Sequence, residues 1–328
     1  MEEKLVSIVT PCYNGAKYLD NYFMSVLSQN YSNCELIFID DGSKDNSKDI
    51  VFKYKEQLED KGIKLRYFYQ ENQGVGFAIA NVLKFVNGDY FIWPDCDDVL
   101  LPNSISLKVQ FLENNPEYGI VRTEGIIVHE DNPNKIINFF SGKRKDRFEE
   151  NLFESYLFGK NAWLMPGSFM IRTSSFLEVN PDRYIFKTRN GQNWQILLPI
   201  LYKYRCGYID IPLYKYYLHR GSLSNQANLN YDKIKAKLKS YEEIIINTLE
   251  HMNIKDEQRY VETVKLYYIN RLYIVAAEYR RLSDMEYYYK ILKNCNDLNF
   301  KKKLIYILSR WKIFNSLIFA IRKIKNSL

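Results

Sequence analysis

The sequence predicts an α/β protein in which a mostly parallel central sheet comes first and a helical region forms the C-terminal part. Over the first 115 residues, short apolar segments rich in β-branched and aromatic residues alternate with longer amphipathic segments. This alternation is typical of a parallel sheet with crossover helices. From Tyr231 onward the apolar pattern is helical and rich in tyrosine.

Four strands are predicted in the first part of the chain, and their apolar character indicates that they are buried. They are VSIVT (6–10), ELIFID (35–40), LRYFYQ (65–70) and YFIWP (90–94). Helices are predicted between them over 18–29, 46–60 and 76–86. The segment 116–225 is mixed, with strands expected within 118–131, a strand leading into a helix in 166–179, and a helix over 193–205 despite Pro199.

The bulk composition excludes several classes of protein. Of the 328 residues, 46% are hydrophobic, which provides for a substantial core and excludes general disorder. No window holds about 18 unbroken apolar residues, so no transmembrane helix is expected. The N-terminal segment lacks the basic start and cleavage site of a signal peptide. The five cysteines show no CxxC spacing, which favours a reducing cytosol without disulfides or structural zinc.

The positive charge is concentrated at the end of the sequence. The net charge is +7, and residues 300–328 contain eight Lys and Arg but no Asp or Glu, so the rest of the chain is close to neutral. A nucleic-acid-binding protein would more often carry its basic residues over the body, and we expect no nucleic-acid partner. A basic segment with apolar residues at helical spacing indicates a helix that lies on an anionic membrane surface. The alternative is a helix that packs on the domain or on the second subunit of a homodimer.

Polar segments follow each of the four predicted strands. They are PCYNG (11–15), DDGSKD (40–45), ENQG (71–74) and DCDD (95–98). In an open parallel sheet, ligands bind beyond the carboxyl ends of the strands. We therefore expect these four segments to meet at one edge of the sheet and to form the functional site.

Three aspartates within four residues suggest a metal site. Asp95, Asp97 and Asp98 would repel one another at neutral pH, and a divalent ion such as Mg²⁺ or Mn²⁺ would offset that repulsion. Such an ion can also stabilise the charge on a departing nucleotide diphosphate. The alternative is a solvated acidic turn that caps a helix beginning near Asn103. The position at a strand end, beside three other polar strand ends, favours the metal site.

The other polar segments have binding and structural interpretations. The ring of Tyr13 could stack on a nucleobase, or it could be an ordinary turn aromatic. Asp41 could accept the N3–H of a uracil-like base and Asp40 a ribose hydroxyl, whereas Asp45 is expected to cap the next helix. Gly74 permits a tight loop under a diphosphate.

The stretches VSIVTPCYNGAKYLDNYFMSVLSQNYSNCELIFIDDGSKDNS and ENQGVGFAIANVLKFVNGDYFIWPDCDDVLLP closely resemble the nucleotide-sugar domain of glycosyltransferase family 2. The resemblance is continuous over about residues 4–115 and weakens towards residue 225, through SFMIRTSSF and YLHRGSLS. It implies a GT-A fold, a UDP-sugar or other nucleotide-sugar donor, a Mn²⁺ or Mg²⁺ cofactor and inversion of the anomeric carbon.

The resemblance also implies roles for individual residues. Pro11, Tyr13 and Asp41 would hold the base, with Asn81 nearby in the helix that follows the third strand. Asp97 would be the direct metal ligand, and Asp95 would lie nearer the ribose or a metal-bound water. The segment of His219, Arg220 and Ser222 would close over the diphosphate, with His219 reaching the metal.

Two departures from the family pattern affect the chemistry. The helix after the third strand lacks the arginine that the family often has, so phosphate charge must be met elsewhere, by Lys84 or Arg220. In RNGQNWQILLP, Gln192 and Asn193 stand where the family commonly has acids, although Trp194 matches the pattern and is expected on the acceptor side. An amide cannot act as a base near neutral pH.

Three explanations of this second departure stay open. In the first, another carboxylate serves as the base, and Glu124 is favoured over Asp182 because it follows a strand that would end near the site; its alternative is a solvated strand end. In the second, the amides orient the acceptor while departure of the diphosphate drives the reaction. The third explanation is loss of activity.

The sequence therefore predicts a metal-dependent inverting glycosyltransferase. It would move a hexose or N-acetylhexosamine from a UDP-sugar to a hydroxyl of a glycan or lipid-linked oligosaccharide in surface polysaccharide biosynthesis, such as capsule or lipopolysaccharide. The expected parts are a nucleotide-sugar-binding half (1–115), an acceptor-side half of the same GT-A domain (116–225) and a helical region (226–328) whose basic tail (300–328) docks on the inner face of the cell membrane. The alternative is a non-catalytic nucleotide-sugar-binding or scaffolding subunit at the membrane.

Overall fold

The computed structural model describes residues 3–159, 161–189, 191–219 and 230–309. The chain forms two compact units. The first comprises residues 1–222 with 247–252, and the second comprises residues 223–246 with 253–328.

The first unit contains the strands and most of the shorter helices. In chain order they are β1 (Val6–Cys12), α1 (Ala16–Leu27), β2 (Cys34–Asp40), α2 (Ser47–Lys53), α3 (Lys55–Asp60), β3 (Lys64–Tyr69), α4 (Val75–Val82), β4 (Tyr90–Ile92), β5 (Val99–Leu100), α5 (Ser104–Asn114), β6 (Tyr118–His129), β7 (Asn132–Phe139), α6 (Phe153–Leu157), β8 (Phe169–Arg172), α7 (Thr173–Val179), α8 (Gln192–Lys203) and β9 (Arg205–Leu218).

The strands form one mixed sheet in the order β3-β2-β1-β4-β8-β6-β9-β5, with β7 paired to β6. The four strands predicted in the first part of the chain are all present, and each pairs in parallel with its neighbour. β8 is antiparallel to both β4 and β6, and β9 runs parallel to β6. The parallel half of the sheet is thus as predicted, while the remainder contains both antiparallel and parallel pairs.

The central strands β1 and β2 are buried along their whole length. β3 is only partly buried because it lies at the edge of the sheet. β1 continues two residues beyond the predicted end and includes Pro11, which has no N–H to donate. This is tolerated because β4 pairs with β1 only from Val6 to Ile8, so no ladder bond on that side is lost at Pro11.

The helix predicted over 46–60 is two helices, α2 and α3, which meet at Tyr54. The ring of Tyr54 stacks on Phe23 with centroids 4.9 Å apart, and its hydroxyl donates to Asp20 Oδ1 at 2.8 Å. The sequence periodicity continues through this position, whereas the contacts of Tyr54 with α1 fix the point where one helix ends.

The second unit is helical, as expected. Its elements are the greater part of α9 (Tyr231–Met252), then α10 (Glu257–Glu278), α11 (Leu282–Asn294) and α12 (Phe300–Ser309). Among the residues that the structure describes, no helix is both long enough and apolar enough to cross a membrane. Residues 300–309 of the predicted basic tail form α12, and its remaining residues, including Trp311, lie outside the described part of the chain.

A lysine is fully buried in α5. Lys108 Nζ donates to Ser104 Oγ at 3.0 Å and to the carbonyl oxygen of Gly167 at 2.6 Å, and thereby holds the turn that leads into β8. Because burial disfavours the charged amine, it lowers the pKa of Lys108 to about 7.

We expect the stability of the protein to rise with pH above about 7 because of Lys108. Between the folded pKa of about 7 and the ordinary value of 10.5, the unfolded chain holds a proton that the folded chain does not. The free energy of unfolding should therefore increase by up to about 1.4 kcal/mol per pH unit over this range. Denaturant unfolding of the wild type and Lys108→Met at pH 7, 8 and 9 measures this difference. Parallel pH profiles for the two proteins would contradict it.

Candidate active site

The loops that follow β1 and β2 are joined by hydrogen bonds. Asn14 adopts a left-handed conformation with φ of 51°, its side-chain oxygen accepts from the backbone N–H of Lys44 at 2.8 Å, and its own N–H donates to Ser43 Oγ at 2.9 Å. The N–H of Gly15 donates to Ser47 Oγ at 3.0 Å. The predicted convergence of these two polar segments is confirmed by these contacts.

Asp45 connects the beginnings of two helices. Its carboxylate accepts from the N–H of Ser47 in α2 and from the N–H of Ala16 in α1, both at 3.0 Å. Burial alone would raise the pKa of Asp45, but the hydrogen bonds from Ser47 and Ala16 outweigh it and lower the pKa. Asp45 therefore stabilises the first turn of α2, as predicted, and that of α1 as well.

Asp41 shapes the loop between β3 and α4. Its buried carboxylate accepts from the side chain of Gln70 at 2.7 Å and from the backbone N–H groups of Gln73 and Gly74 at 2.9 and 2.8 Å. The side-chain amide of Asn72 is a fourth donor at 3.3 Å. Contact between Asp41 and a base stays a prediction. The observed hydrogen bonds show that Asp41 stabilises the loop between β3 and α4.

The other predicted donor-side residues differ in exposure. Tyr13 is 49% exposed, and its contact with a base stays a prediction. Pro11 is buried within β1. Asn81 donates to the side-chain oxygen of Gln70 at 2.7 Å and supports the loop of residues 70–74.

An arginine that the sequence analysis did not single out lies against this loop. Arg189 Nη2 donates to Asn72 Oδ1 at 2.6 Å. A Cβ on Gly74, whose φ is 100°, would come within 2.6 Å of the backbone of Arg189. The loop of residues 70–74 and the segment before α8 are therefore in direct backbone contact, and Arg189 brings an exposed cation to this edge of the sheet.

The three aspartates after β4 form a cluster. One carboxylate oxygen from each of Asp95, Asp97 and Asp98 lies within 4.8 Å of the others. Asp98 is buried and accepts from the hydroxyl of Tyr214 at 2.9 Å and the N–H of Tyr217 at 3.0 Å, so it holds β9 in place.

Burial and mutual repulsion raise the pKa values of the clustered aspartates. Burial, with a further contribution from the charge of Asp97, raises the pKa of Asp95 to about 8. Burial also raises the pKa of Asp97, against the opposing effect of His219. A bound divalent cation would remove this penalty because it attracts both carboxylates.

His219 faces the cluster. Its Nε2 atom is 3.5 Å from Asp97 Oδ2, and within the described ranges this buried nitrogen has no hydrogen-bond partner. Its Nδ1 atom is 3.0 Å from Glu130 Oε2. The ring is 8% exposed and packs on Tyr18, with centroids 4.4 Å apart.

These side chains fit a divalent metal ion. Carboxylate oxygens are the ligands that Mg²⁺ and Mn²⁺ prefer, and an imidazole nitrogen is compatible with Mn²⁺. A buried nitrogen that has no partner in the described residues and faces a carboxylate is the observation expected of a metal ligand. The structure therefore brings His219 to Asp97, whereas the group whose ligand atoms all lie within 4.8 Å of one another is the three aspartates. Arg220 and Ser222 lie outside the described residues.

On the acceptor side, the side chain of Asn193 uses both halves of its amide. Its oxygen accepts from Trp93 Nε1 at 2.8 Å, and its nitrogen donates to the carbonyl oxygen of Leu164 at 2.8 Å. Trp93 directly follows β4, so this bond connects α8 with the segment that carries the aspartates. A carboxylate at this position could accept from Trp93 but could not donate to Leu164.

The neighbours of Asn193 are also held by the fold. Gln192 begins α8 and is buried, after Gly191 with φ of 83°. Trp194 Nε1 donates to the carbonyl oxygen of Tyr156 at 3.2 Å. Of the two amides, Asn193 thus uses both of its polar atoms in hydrogen bonds within the fold. Gln192 lies at the N-terminus of the helix.

Glu124 is not a solvated strand end. It is fully buried at an irregularity in the pairing of β6 with β9, and its carboxylate accepts from Ser141 Oγ at 2.5 Å, Gly125 N at 3.0 Å and Tyr208 Oη at 3.2 Å. Lys143 Nζ is 3.6 Å away. These are contacts with the loop after β7 and with β9. The role of Glu124 as base stays a prediction, and these contacts favour a structural role.

Sequence reasoning missed Trp93, Glu130 and Arg189. Each acts on a partner about 90 to 120 residues away in the chain. Within the sequence they are an apolar strand end, a charged turn and a polar loop. The short motifs contain no signal for their partners.

Comparison with known proteins identifies the family and the fold. The model of the family Glycosyl transferase family 2 matches residues 7–179, which is more than half of the chain. An uncharacterized glycosyltransferase of Rickettsia conorii is 43% identical over 110 residues, which are 33% of this chain and 17% of that protein. The matches to rickettsial relatives span 17–32% of those proteins, so this chain corresponds to a part of their length.

Two solved structures show the likeness of the fold. S. aureus TarS in complex with UDP-GlcNAc has a TM-score of 0.58 at 16% identity, and the alignment covers 93% of this chain and 91% of that one. The mannosyltransferase PcManGT from Pyrobaculum calidifontis, in complex with GDP-Man and Mn²⁺, has a TM-score of 0.50 at 14% identity, over 95% and 82% of the two chains. The predicted GT-A fold, with a helical C-terminal region, is confirmed.

We expect Asn193→Asp to destabilise the protein by about 1–3 kcal/mol, because the carbonyl oxygen of Leu164 loses its donor and faces a carboxylate. Denaturant unfolding at pH 7 measures the change. Asn138→Asp on the exposed strand β7 is the matched control, since the side chain of Asn138 serves only as an acceptor there, and it should change stability by less than about 0.5 kcal/mol. Equal effects of the two substitutions would contradict the role assigned to Asn193.

Proposed function

Because the chain belongs to glycosyl transferase family 2, we propose that it is a glycosyltransferase that moves a sugar from a nucleotide-sugar donor to an acceptor hydroxyl. The observation that carries the proposal is the aspartate cluster beside the loops that follow β1 and β2, with the buried Nε2 of His219 lying 3.5 Å from Asp97. This is the edge of a parallel sheet where ligands bind in α/β folds.

The proposed donor is a UDP-sugar carrying a hexose or an N-acetylhexosamine. TarS, which shares the fold, was solved with UDP-GlcNAc, and PcManGT was solved with GDP-Man. In our proposal the half-exposed ring of Tyr13 stacks on the base. The loop that Asp41 holds, residues 70–74, forms the wall on the other side of the nucleotide.

The diphosphate of the donor needs positive charge near it. The sequence offered Lys84 or Arg220 in place of the arginine that α4 lacks, and we propose Arg189 for this role as well. Arg189 is exposed and lies directly on the loop of residues 70–74. A guanidinium suits a diphosphate because its N–H groups can pair with two phosphate oxygens at once.

Asp95, Asp97 and His219 would hold a Mn²⁺ or Mg²⁺ ion, while Asp98 keeps its bonds to β9. When bound, the ion supplies Lewis-acid stabilisation of the negative charge that develops on the departing diphosphate. The chain's own residues do the rest. In our proposal they hold the donor so that the acceptor hydroxyl attacks the anomeric carbon from the side opposite the diphosphate, which would invert that carbon.

The acceptor hydroxyl would approach from the side of α8. In our proposal Gln192, at the N-terminus of this helix, orients the hydroxyl, and departure of the diphosphate drives the reaction while the hydroxyl proton passes to solvent water. Asn193 takes no part in proton transfer because both halves of its amide are bonded to the framework. Glu124 would have to give up several hydrogen bonds before it could accept the proton.

We further propose that the acceptor is a glycan or lipid-linked saccharide handled at the inner face of the cell membrane, in the biosynthesis of a surface polysaccharide. The helix α12 presents three exposed apolar side chains together with several lysines. The apolar residues are Phe300, Leu304 and Ile307, which are 80%, 41% and 54% exposed. Such a helix can lie in the interface of an anionic bilayer.

A second candidate function is nucleotide-sugar binding without turnover. It is favoured by the amides at Gln192 and Asn193, where the family commonly has acids. It differs from the first in one measurable respect, which is whether any acceptor increases release of the nucleotide.

We expect the protein to release UDP from at least one UDP-sugar in the presence of Mn²⁺ or Mg²⁺, at a rate that rises with an acceptor pool of free and lipid-linked saccharides. Removal of the metal by a chelator should abolish release. Asp97→Ala should lower the rate by about a hundredfold or more, because charge on the leaving diphosphate is no longer stabilised. Coupled detection of UDP, with GDP-mannose as a further donor, measures this.

Asp60→Ala is the matched control, since Asp60 is an exposed carboxylate at the end of α3. It should retain the rate of the wild type. Full activity of Asp97→Ala would refute the metal-dependent mechanism. Binding of a UDP-sugar in a thermal-shift assay, without turnover by any donor and acceptor pair, would instead favour the binding function.

A further inference from the structure

We infer that Glu130 is a positioning residue for the candidate metal site. It accepts a hydrogen bond from the Nδ1–H of His219, which keeps the ring proton on Nδ1 and leaves the lone pair of Nε2 directed at Asp97. This inference rests on the proposed function, because it concerns the same site. It goes beyond that function in assigning Glu130, which lies in a charged turn between β6 and β7.

The contact between the two side chains is direct and largely shielded from solvent. Glu130 Oε2 lies 3.0 Å from His219 Nδ1, and the side chains are 16% and 7% exposed. The backbones are held together as well, because the N–H of Glu130 donates to the carbonyl oxygen of Leu218 at 3.2 Å. Leu218 immediately precedes His219, so the strand pairing of β6 with β9 fixes the distance between the two residues.

Hydrogen-bond chemistry then determines which ring nitrogen carries the proton. An ionised carboxylate can only accept, so the nitrogen that bonds to Glu130 must be a donor. In the neutral ring this places the proton on Nδ1 and leaves Nε2 as an acceptor or ligand. Nε2 is the buried nitrogen that has no partner in the described residues.

A second carboxylate competes for the same proton. Asp97 Oδ2 lies 3.5 Å from Nε2, so without Glu130 the ring would gain by carrying its proton on Nε2 and donating to Asp97. That proton would occupy the space between the two proposed ligands. Glu130 prevents this arrangement because its oxygen is closer to the ring, at 3.0 Å, than that of Asp97 at 3.5 Å.

The position of Glu130 is in turn fixed by α1. Lys17 Nζ donates to Glu130 Oε2 at 2.8 Å. The next residue, Tyr18, covers one side of the imidazole, and Tyr217 stacks parallel to it at a centroid distance of 6.1 Å. The ring therefore has little freedom to rotate. A carboxylate that orients a histidine ligand typically contributes a factor of about 10 to 100 in metal affinity.

The first test is the tautomer of His219 in the full-length, metal-free protein, by ¹⁵N NMR of labelled histidine. The chain has three histidines, so the His219 signals can be assigned with His219→Asn. We expect the Nδ1–H tautomer in the wild type and a shift of population towards Nε2–H in Glu130→Ala. A wild-type protein with the proton on Nε2 would overturn the inference without any variant having to fold.

The second test is Mn²⁺ binding by calorimetry, without donor or acceptor. Glu130→Ala should bind about 10- to 100-fold more weakly than the wild type. Asp131→Asn is the matched control: it removes a carboxylate from the same turn, one that pairs with His129 at 3.4 Å, and it should bind Mn²⁺ as the wild type does. Thermal unfolding of each variant confirms that it is folded.

The outcomes separate this inference from the function on which it rests. If Asp97→Ala and His219→Asn lose Mn²⁺ affinity but Glu130→Ala keeps it, the metal site stands and the role of Glu130 is refuted. If Asp97→Ala also binds as the wild type does, the metal site itself is refuted, and the inference falls with it. If Asp131→Asn weakens Mn²⁺ binding as much as Glu130→Ala, the loss of affinity comes from removing negative charge in the turn. The positioning role of Glu130 is then refuted.

Discussion

The site depends on the buried carboxylate of Asp98. Its hydrogen bonds to Tyr214 and to the backbone of Tyr217 tie the loop after β4 to a strand that lies more than a hundred residues further along the chain. β9 ends one residue before His219, so the same bonds that hold this strand also bring the imidazole to Asp97. A buried carboxylate without such partners would cost several kcal/mol. The acidic motif is thus both a proposed binding element and a structural link, with one of its three members assigned to the second task.

The first half of the fold could be predicted from the sequence because its determinants are local. Runs of β-branched and aromatic residues define the four parallel strands, and the polar segments after them must meet once the strands are parallel. The break at Tyr54, the antiparallel position of β8 and the pairing of β6 with β9 depend on contacts between distant segments, and no periodicity in the sequence signals them. The same holds for the site. Asp95, Asp97 and His219 lie in recognisable motifs, whereas Glu130 gains its significance only from residues 89 positions away.

The amides at the start of α8 show how a departure from a family pattern changes meaning in three dimensions. In the sequence, Asn193 stands where the family commonly has an acid. In the structure it is the one side chain that accepts from Trp93 and donates to Leu164 at once, a combination that a carboxylate cannot provide. Glu124 illustrates the converse, since a carboxylate suited to be a base is surrounded by donors that hold the loop after β7. Identifying a residue type is therefore not enough to identify a proton acceptor, because the lone pairs of that residue must also be available.

The backbone contact between Gly74 and Arg189 has a consequence for the order of events. Because there is no room for even a methyl group between the two segments, the loop of residues 70–74 cannot move towards Arg189 without displacing it. In the proposed function, donor binding at this loop would therefore affect the approach to α8. A nucleotide that fixes the loop of residues 70–74 would also restrict Arg189, which precedes α8. The acceptor-binding surface would then be fully ordered only after the donor had bound. A compulsory sequence of binding, donor first, would follow from this single glycine without any moving lid.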